Sequence, residues 1–258
     1  MEYAYLHFHA ALKDFISPGG RNKAITRAIN RKASIKDVIE SCDVPHTEID
    51  LIIVNGVSVD FDYIVQNGDE IHVYPDCSTA LTESGKPLRH LSPPLPEKPW
   101  FIVDANLGRL ARYLRLLGFD CLYRNDFADQ SIAEISCKTQ RIVLTRDRKL
   151  LKRKIITYGY FVRTDIPKAQ IRETLHRFNL YASLAPLTRC THCNEKLVSA
   201  EKPLIAHRLK PLTRQYYDKF LICPGCNRKF VVILSCEDRK STRLNSSHRG
   251  ESRMPSSA

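Results

Sequence analysis

The sequence contains no run of apolar residues that approaches the roughly 18 needed for a transmembrane helix, so no membrane partner is expected. The stretch MEYAYLHFHAALKDF lacks the basic start, the apolar segment and the small-residue cleavage site of a secretory signal. We therefore expect a cytoplasmic protein. The nine cysteines would then lie in a reducing compartment, where paired cysteines bind metal more often than they form disulfides.

Acidic residues are outnumbered by basic ones after the first part of the chain. The 258 residues are enough for about two or three domains and carry a net charge of +12. Residues 1–98 hold 10 Lys and Arg against 14 Asp and Glu, whereas residues 99–237 have a net charge of +13. This distribution is typical of a protein that meets a polyanion through its second half. From charge alone, a basic surface without such a partner is as good an explanation.

Residues 1–76 have the pattern of a small α+β domain. Ser34 and Asp37 form a capping box, which predicts a helix over residues 35–41. Alternation of apolar and polar residues predicts strands on either side of this helix. The predicted strands are residues 2–10, 24–29, 50–54, 57–61 and 70–74. Residues 77–98, rich in proline and without periodicity, are expected to form a linker.

Residues 99–185 alternate between strand and helix patterns. The predicted strands are residues 100–104, 119–123, 141–145 and 160–163. The predicted helices are residues 106–117, a segment capped by Asp129, residues 149–154 and residues 167–178. Four successive strand–helix units favour a doubly wound parallel sheet.

One acidic residue follows each of these four strands. They are Asp104, Asp126, Asp147 and Asp165. The carboxyl ends of parallel strands meet at one edge of the sheet, and clustered carboxylates repel one another unless a cation joins them. We therefore predict that all four are catalytic, and that the first three bind Mg²⁺ or Mn²⁺, which can activate water to cleave a phosphodiester. Helix capping is the alternative for any single one of them.

Basic side chains lie near these acids in the sequence, and we predict that they bind RNA. They are Arg109, Arg112, Arg146, Arg148, Lys149 and Arg153. Two other acids have simpler explanations. Asp120 lies within a strand and is expected to be structural, and Asp129 is explained by its predicted helix cap.

Two Cys-x-x-Cys pairs lie in residues 186–237. They supply Cys190, Cys193, Cys223 and Cys226, the ligand set of a structural tetrahedral Zn²⁺ in a zinc ribbon. A redox role is the alternative, but no thioredoxin-like βαβ unit surrounds either pair. A closed four-thiolate site leaves no position for water, so we expect no catalysis there. Basic residues with interleaved aromatics give this segment a surface suited to single-stranded RNA.

Several stretches resemble a known family. The motifs FIVDANLGRLARYLRLLGFDCLYRND and RIVLTRDRKLLKR resemble the PIN-like ribonuclease domain named after the C-terminal part of the nematode Mut-seven exonuclease. Bacterial members of that family join an N-terminal ubiquitin-like domain to the RNase domain and a zinc ribbon, and VPHTEIDLIIVNGVSVDFDYIVQNGDEIHVYP is similar to the ubiquitin-like part. The resemblance implies a metal-dependent ribonuclease. By position, Asp104 and Asp147 match the acids of the PIN-type motifs well, and Asp126 matches them less closely.

The sequence departs from the family after Phe230, where residues 231–235 replace the family's usual aromatic, Gly- and His-containing ending. The stretch DRKSTRLNSSH resembles the translation of a common sequencing adapter, so we expect a disordered, artefactual tail and assign it no function. The complete prediction is a multidomain α/β protein of five segments. They are a ubiquitin-like (β-grasp) domain (1–76), a linker (77–98), a PIN-like domain (99–185), a zinc ribbon (186–237) and the tail (238–258).

The predicted function is RNA hydrolysis by a metal-dependent ribonuclease. The alternative is a non-catalytic RNA-binding protein that keeps the PIN-like fold. A sulfur-carrier role for the first domain is excluded, because residues 73–76 read Val-Tyr-Pro-Asp instead of the terminal Gly-Gly that such carriers need. That domain is expected to bind a protein partner or to cover the RNA path.

Overall fold

The computed structural model of the protein describes residues 2–29, 31–75, 88–96 and 99–231. The predicted tail and most of the predicted linker lie outside these residues. In the described ranges, no helix is both long enough and apolar enough to cross a membrane.

The N-terminal part is a five-stranded mixed sheet with one α-helix, as predicted for a ubiquitin-like domain. Its strands are β1 (Glu2–Phe8), β2 (Ile25–Ile29), β3 (Leu51–Val54), β4 (Val57–Val59) and β5 (Glu70–Tyr74). They lie in the order β2-β1-β5-β3-β4, in which β1 and β5 are parallel and the other neighbours are antiparallel. Helix α1 (Ile35–Glu40) begins after Ser34, whose hydroxyl accepts a hydrogen bond from the Asp37 amide at 3.2 Å, so the predicted cap is confirmed.

The two faces of this sheet differ in character. Because side chains alternate along a strand, Leu6 and Phe8 of β1 are buried against α1, while His7 lies on the opposite face. On β5, Ile71 and Val73 face the same core. The outer face therefore carries the polar and aromatic side chains of β1 and β5.

The second part is a four-stranded parallel sheet, which confirms the predicted fold class. Its strands are β6 (Phe101–Val103), β7 (Cys121–Tyr123), β8 (Ile142–Thr145) and β9 (Gly159–Phe161), in the order β7-β6-β8-β9. Its helices are α2 (Gly108–Leu116), α3 (Asp129–Thr139), α4 (Arg148–Leu151) and α5 (Pro167–Arg177).

Helices cover both faces of this sheet. Phe101 of β6 packs in one core with Leu114 of α2 and Leu175 of α5. Its neighbour Ile102 packs in the other core, with Ile132 of α3 and residues of α4. Strands β6 and β8 are buried at every residue and are apolar except for Thr145 at the end of β8, as expected for strands covered on both faces.

Helices α3 and α4 of the second part begin at residues other than those predicted. Helix α3 begins at Asp129 itself, so Asp129 does not cap it from outside as predicted; Ala128 occupies the cap position. Helix α4 begins at Arg148, and Asp147 is its cap. Gly118 follows α2 with φ of +96°, as predicted for the residue after a helix C-terminus. A side chain there would also collide with the Ala185 carbonyl. Both the backbone conformation and the lack of space therefore favour glycine at this position.

The third part is a small antiparallel sheet of β10 (Val198–Ala200), β11 (Phe220–Ile222) and β12 (Lys229–Val231). Two short helices, α6 (Lys202–Ile205) and α7 (Pro211–Tyr216), connect β10 to β11. The sequence analysis noted that residues 231–235 differ from the usual ending of the family. Of these, residues 232–235 lie outside the described residues.

Side chains from the first and third parts cap the two edges of the parallel sheet. At edge strand β9, the Phe161 amide donates to Glu48 Oε1 at 2.6 Å. At edge strand β7, the Cys121 amide donates to Asn194 Oδ1 at 3.0 Å. Open sheet edges present unpaired backbone groups, and here the flanking parts of the chain satisfy them.

Candidate active site and metal centre

The parallel sheet has one point at which the chain reverses its direction of winding. From β6 the chain passes to β7 on one side, and it then returns to β8 on the other side. In such sheets, ligands bind beyond the carboxyl ends of the two strands that flank the switch point. Asp104 directly follows β6, and Thr145 is the last residue of β8.

The Thr145 hydroxyl joins two of the predicted acidic residues. It donates to Asp104 Oδ2 at 2.8 Å and accepts a hydrogen bond from the Asp147 amide at 2.9 Å. Thr145 is fully buried and Asp104 is 8% exposed. The Asp147 carboxylate accepts from the Lys149 amide at 2.7 Å, which fixes it at the start of α4. The sequence analysis did not select Thr145, although a hydroxyl at the end of a buried strand, two residues before an acid, was a usable signal.

Asp126 lies in an exposed loop and is bound to a neighbouring arginine. Arg124 donates from Nε to Asp126 Oδ1 at 2.9 Å and from a terminal nitrogen to Oδ2 at 2.6 Å. These hydrogen bonds lower the pKa of Asp126. Both carboxylate oxygens are therefore held by Arg124.

Asp165 lies after β9 and its side chain is 85% exposed, paired with Arg146. Among the described residues, two groups of at least three His, Cys, Asp or Glu hold their ligand atoms within 4.8 Å of one another. Neither group includes any of the four predicted acids. The assignment of Asp104, Asp126 and Asp147 to a shared cation therefore stays a prediction, as does a catalytic role of Asp165.

An open cavity of about 490 Å³ lies at the same edge of the sheet, between the starts of α2 and α5. It is lined by Asn106, Leu107, Gly108, Arg109, Arg112, Tyr123, Asp165, Pro167 and Gln170. Two of the predicted RNA-binding residues, Arg109 and Arg112, are exposed in it. Exposed guanidinium groups in a polar groove can bind phosphates.

Gly108 determines the shape of this groove. The Tyr123 hydroxyl donates to the Ala105 carbonyl at 3.1 Å, which brings the ring onto the start of α2. A Cβ at Gly108 would lie 2.5 Å from the Tyr123 oxygen. Any larger residue at this position would therefore displace Tyr123 from the wall of the groove.

Three of the other predicted RNA-binding residues have partners within the chain, and Arg146 is one of them through its pair with Asp165. Arg148 donates to the Phe15 carbonyl at 3.3 Å and lies over the Phe15 ring at 5.0 Å from its centroid, which connects it to the N-terminal domain. Arg153 donates to Gln130 Oε1 at 2.6 Å. Lys149 is exposed.

The four predicted zinc ligands form one cluster, with all four sulfur atoms within 4.8 Å of one another. The Sγ atoms of Cys190 and Cys226 are 3.5 Å apart, and those of Cys193 and Cys223 are 3.3 Å apart. Tetrahedral Zn²⁺ with Zn–S bonds of about 2.3 Å needs sulfur atoms about 3.8 Å apart. The donor set and its spacing therefore fit a structural zinc ion.

Each Cys-x-x-Cys pair forms a tight turn, or knuckle, and a residue with left-handed backbone conformation follows each knuckle. Asn194 and Asn227 directly follow the two Cys pairs with φ of +72° and +57°, in agreement with the turn chemistry that asparagine favours. Burial opposes ionisation of Cys223, but hydrogen bonds from the Cys226 amide and the neighbouring thiols lower its pKa to about 7. Burial raises the pKa of Cys193 to about 12, so in the metal-free cluster Cys223 is the thiol that loses its proton most readily. A thiol must lose its proton to bind zinc, so metal binding should release protons from the other cysteines.

The knuckle is attached to the parallel sheet by charged side chains. Buried Arg115 donates from Nε to the Cys121 carbonyl at 2.9 Å and from a terminal nitrogen to the His192 carbonyl at 2.6 Å. Asp120 pairs with Arg141 at 2.7 Å and with Arg189 at 3.0 Å. Asp120 is thus fully occupied by contacts within the fold, and Arg115 is a contact that the sequence analysis missed.

Comparison with known families agrees with this architecture. Residues 99–231 match the family described as the Mut7-C RNAse domain, and residues 1–80 match the one described as Mut7-C ubiquitin. The first match covers just over half of the 258 residues and spans both the parallel sheet and the four-cysteine cluster. No curated protein and no solved structure matches the chain.

Proposed function

Because the chain belongs to the Mut7-C RNase domain family, which implies a ribonuclease, we propose that it hydrolyses RNA with a divalent cation held by Asp104 and Asp147. One observation supports this choice: the Thr145 hydroxyl contacts the carboxylate of Asp104 and the amide of Asp147 at the switch point of the sheet. Oxygen donors of this kind suit Mg²⁺ or Mn²⁺, which bind through one or two carboxylates and keep several waters.

The position of each residue relative to the switch point and the groove determines the role that we propose for it. Asp104 and Asp147 would hold the Mg²⁺ or Mn²⁺ ion, which would supply an activated water and stabilise the charge that grows on the phosphodiester. Thr145 holds Asp104 in place by a hydrogen bond at 2.8 Å. Arg109 and Arg112, exposed in the adjacent groove, bind phosphates of the RNA and align the scissile bond.

Asp126 and Asp165 belong to the proposal as supporting groups. Asp126 contributes as a third cation ligand once Arg124 releases it, since Arg124 now holds both of its oxygens. Asp165 lines the groove and pairs with Arg146, so it orients that arginine toward the RNA.

We further propose that the N-terminal domain covers one side of the basic surface. Lys152, next to α4, donates to Asp43 Oδ1 at 2.7 Å and to the Glu40 carbonyl at 2.8 Å. His46 donates to the Ile156 carbonyl at 3.0 Å, and Arg148 contacts Phe15. With these contacts made, the groove lined by Arg109 and Arg112 is the open basic path for RNA.

The test is RNA cleavage by the full chain with Mg²⁺ or Mn²⁺, compared between wild type, Asp104→Asn and Asp147→Asn. Both variants should lose cleavage and keep RNA binding. Their free energy of unfolding should stay close to that of wild type or rise, because asparagine keeps an oxygen that can accept the hydrogen bond from the Thr145 hydroxyl or the Lys149 amide while it removes one negative charge. Asp62→Asn, an exposed substitution in the N-terminal domain, is the matched control and should cleave normally.

Cleavage at the wild-type rate by Asp147→Asn would refute the assignment of this residue. Wild-type protein that binds RNA but cleaves none with either cation would instead favour a non-catalytic RNA-binding protein.

A further inference from the structure

Four potential metal ligands lie together on the outer face of the N-terminal sheet. Strands β1 and β5 are parallel neighbours, and their register places His7 directly opposite His72. His9 lies two residues after His7, and Glu70 lies two residues before His72. Since side chains two apart on a strand share a face, all four point away from the core formed by the intervening residues.

The ligand atoms of this cluster converge. His7 Nε2 lies 2.6 Å from Glu70 Oε1, and His9 Nε2 lies 3.0 Å from His72 Nδ1. His7, Glu70 and His72 each offer a ligand atom within 4.8 Å of the other two. The rings of His7 and His72 stack with centroids 4.6 Å apart. One cation could therefore reach three of these side chains without a change of backbone.

The fold does not require these groups. The core of the domain lies on the other face and is formed by Leu6, Phe8, Ile71 and Val73. The side chains of His7 and Glu70 are 28% and 51% exposed. An ion pair between one histidine and one glutamate needs no further imidazole, yet here three imidazoles gather around a single carboxylate.

We propose that His7, Glu70 and His72 bind a divalent transition-metal ion, Zn²⁺ foremost, at a site separate from the four-cysteine cluster. Two imidazoles and one carboxylate form a ligand set that Zn²⁺ uses with a fourth, exchangeable position. Imidazole selects zinc and its neighbours in the transition series over Mg²⁺ and Ca²⁺, which prefer oxygen. His9 contacts His72 at 3.0 Å but lies outside this group of three, so a water molecule would take the fourth position.

The test is the zinc stoichiometry of the full chain, measured by calorimetric titration and by metal analysis after gel filtration. Wild type should bind one Zn²⁺ more than His72→Asn. Glu70→Gln keeps the shape of the side chain and should weaken the additional site by about tenfold or more, at least as much as the loss of an outer-shell partner costs. His207→Asn, at an exposed position in the C-terminal part, is the control and should keep wild-type stoichiometry.

Equal stoichiometry in wild type and His72→Asn would overturn the proposal, as would full affinity in Glu70→Gln. If His72→Asn does not fold, as judged by its circular dichroism spectrum, His7→Asn takes its place with the same expectation. Histidine ring signals in the NMR spectrum give a second readout, because added Zn²⁺ should shift those of His7 and His72 and leave that of His207 unchanged.

Discussion

The hydroxyl of Thr145 donates a hydrogen bond of 2.8 Å to the carboxylate of Asp104, and both residues lie at the switch point of the parallel sheet. Thr145 is fully buried, and its oxygen also accepts from the amide of Asp147. A single side chain therefore fixes the two acids that we propose as cation ligands.

Replacement of Thr145 by valine should reduce both stability and activity. Valine has a similar shape but leaves the Asp104 carboxylate and the Asp147 amide without this partner, which should cost about 1–3 kcal/mol in the free energy of unfolding. Cleavage should fall as well, because Asp104 is no longer held. Urea denaturation and RNA cleavage measure the two effects. Thr145→Ser keeps the hydroxyl and should stay close to wild type; equal behaviour of both variants would refute the role of the hydrogen bond.

The Arg124–Asp126 pair gives a test of the third proposed ligand. Asp126→Asn should reduce cleavage nearly as much as Asp104→Asn. Arg124→Gln should lower the Mn²⁺ concentration needed for half-maximal cleavage, because it frees the Asp126 carboxylate that Arg124 now holds. Metal titrations of cleavage measure this. An unchanged midpoint in Arg124→Gln, together with full activity of Asp126→Asn, would remove Asp126 from the site.

Glu48 should be important for the docking of the N-terminal domain. It is 2% exposed and accepts hydrogen bonds from the Phe161 amide and from Arg163. Glu48→Ala leaves the Phe161 amide without its acceptor and Arg163 without one of its three acidic partners, and should cost about 1–3 kcal/mol of stability. Chemical denaturation measures the loss. Asp62→Asn serves again as the surface control, and a loss no larger than in that control would contradict the expectation.

Glu48 should also make the free energy of unfolding depend on pH. Burial raises the pKa of Glu48 above its ordinary value of 4.5. The folded state then holds the proton more tightly than the unfolded chain, so this contribution is complete below about pH 4.5 and is lost as pH rises through the folded pKa. Glutamine does not titrate, so Glu48→Gln lacks this pH dependence. As pH rises, the free energy of unfolding of wild type should therefore fall relative to that of Glu48→Gln. A constant difference would contradict the prediction.

Zinc removal should affect the sheet edge as well as the four-cysteine cluster. Chelation should unfold the C-terminal part, because structural zinc is coupled to folding. Asn194 would then release the Cys121 amide, and hydrogen exchange at that amide should accelerate. The Phe161 amide at the opposite edge is bound by Glu48 and is the internal control. Acceleration at both amides alike would indicate global unfolding instead.

RNA binding should depend on salt and on the groove arginines. Each phosphate contact that Arg109→Ala or Arg112→Ala removes should reduce the slope of log affinity against log salt by about 0.7 for single-stranded RNA. Fluorescence anisotropy at several salt concentrations measures it. Lys23→Ala, exposed in the N-terminal domain, should leave the slope unchanged, and equal slopes in all variants would refute the assignment of the groove.

Local patterns in the sequence were sufficient to predict the main elements of the first two parts and their order, but they did not predict the short helices α6 and α7 of the third part. Apolar periodicity depends only on neighbours along the chain, so it predicted the mixed first sheet and the parallel second sheet. The cap at Ser34 and the left-handed residues after the Cys pairs are equally local. Cysteine spacing predicted the four-thiol cluster because two residues between ligands fit one tight knuckle. The segment boundaries stay predictions.

Contacts between distant segments were decided only by the tertiary structure. The pairing of β1 with β5 brings His7 beside His72, and the docking of the N-terminal domain turns Arg148 toward Phe15. Strand order places Thr145 beside Asp104, whereas Asp126 follows an edge strand and pairs with Arg124 instead. The sequence alone could predict that four acids follow four strands. Which of them share a hydrogen-bond network depends on strand order and on the packing of side chains remote in the chain, and neither leaves a periodic signal in the sequence.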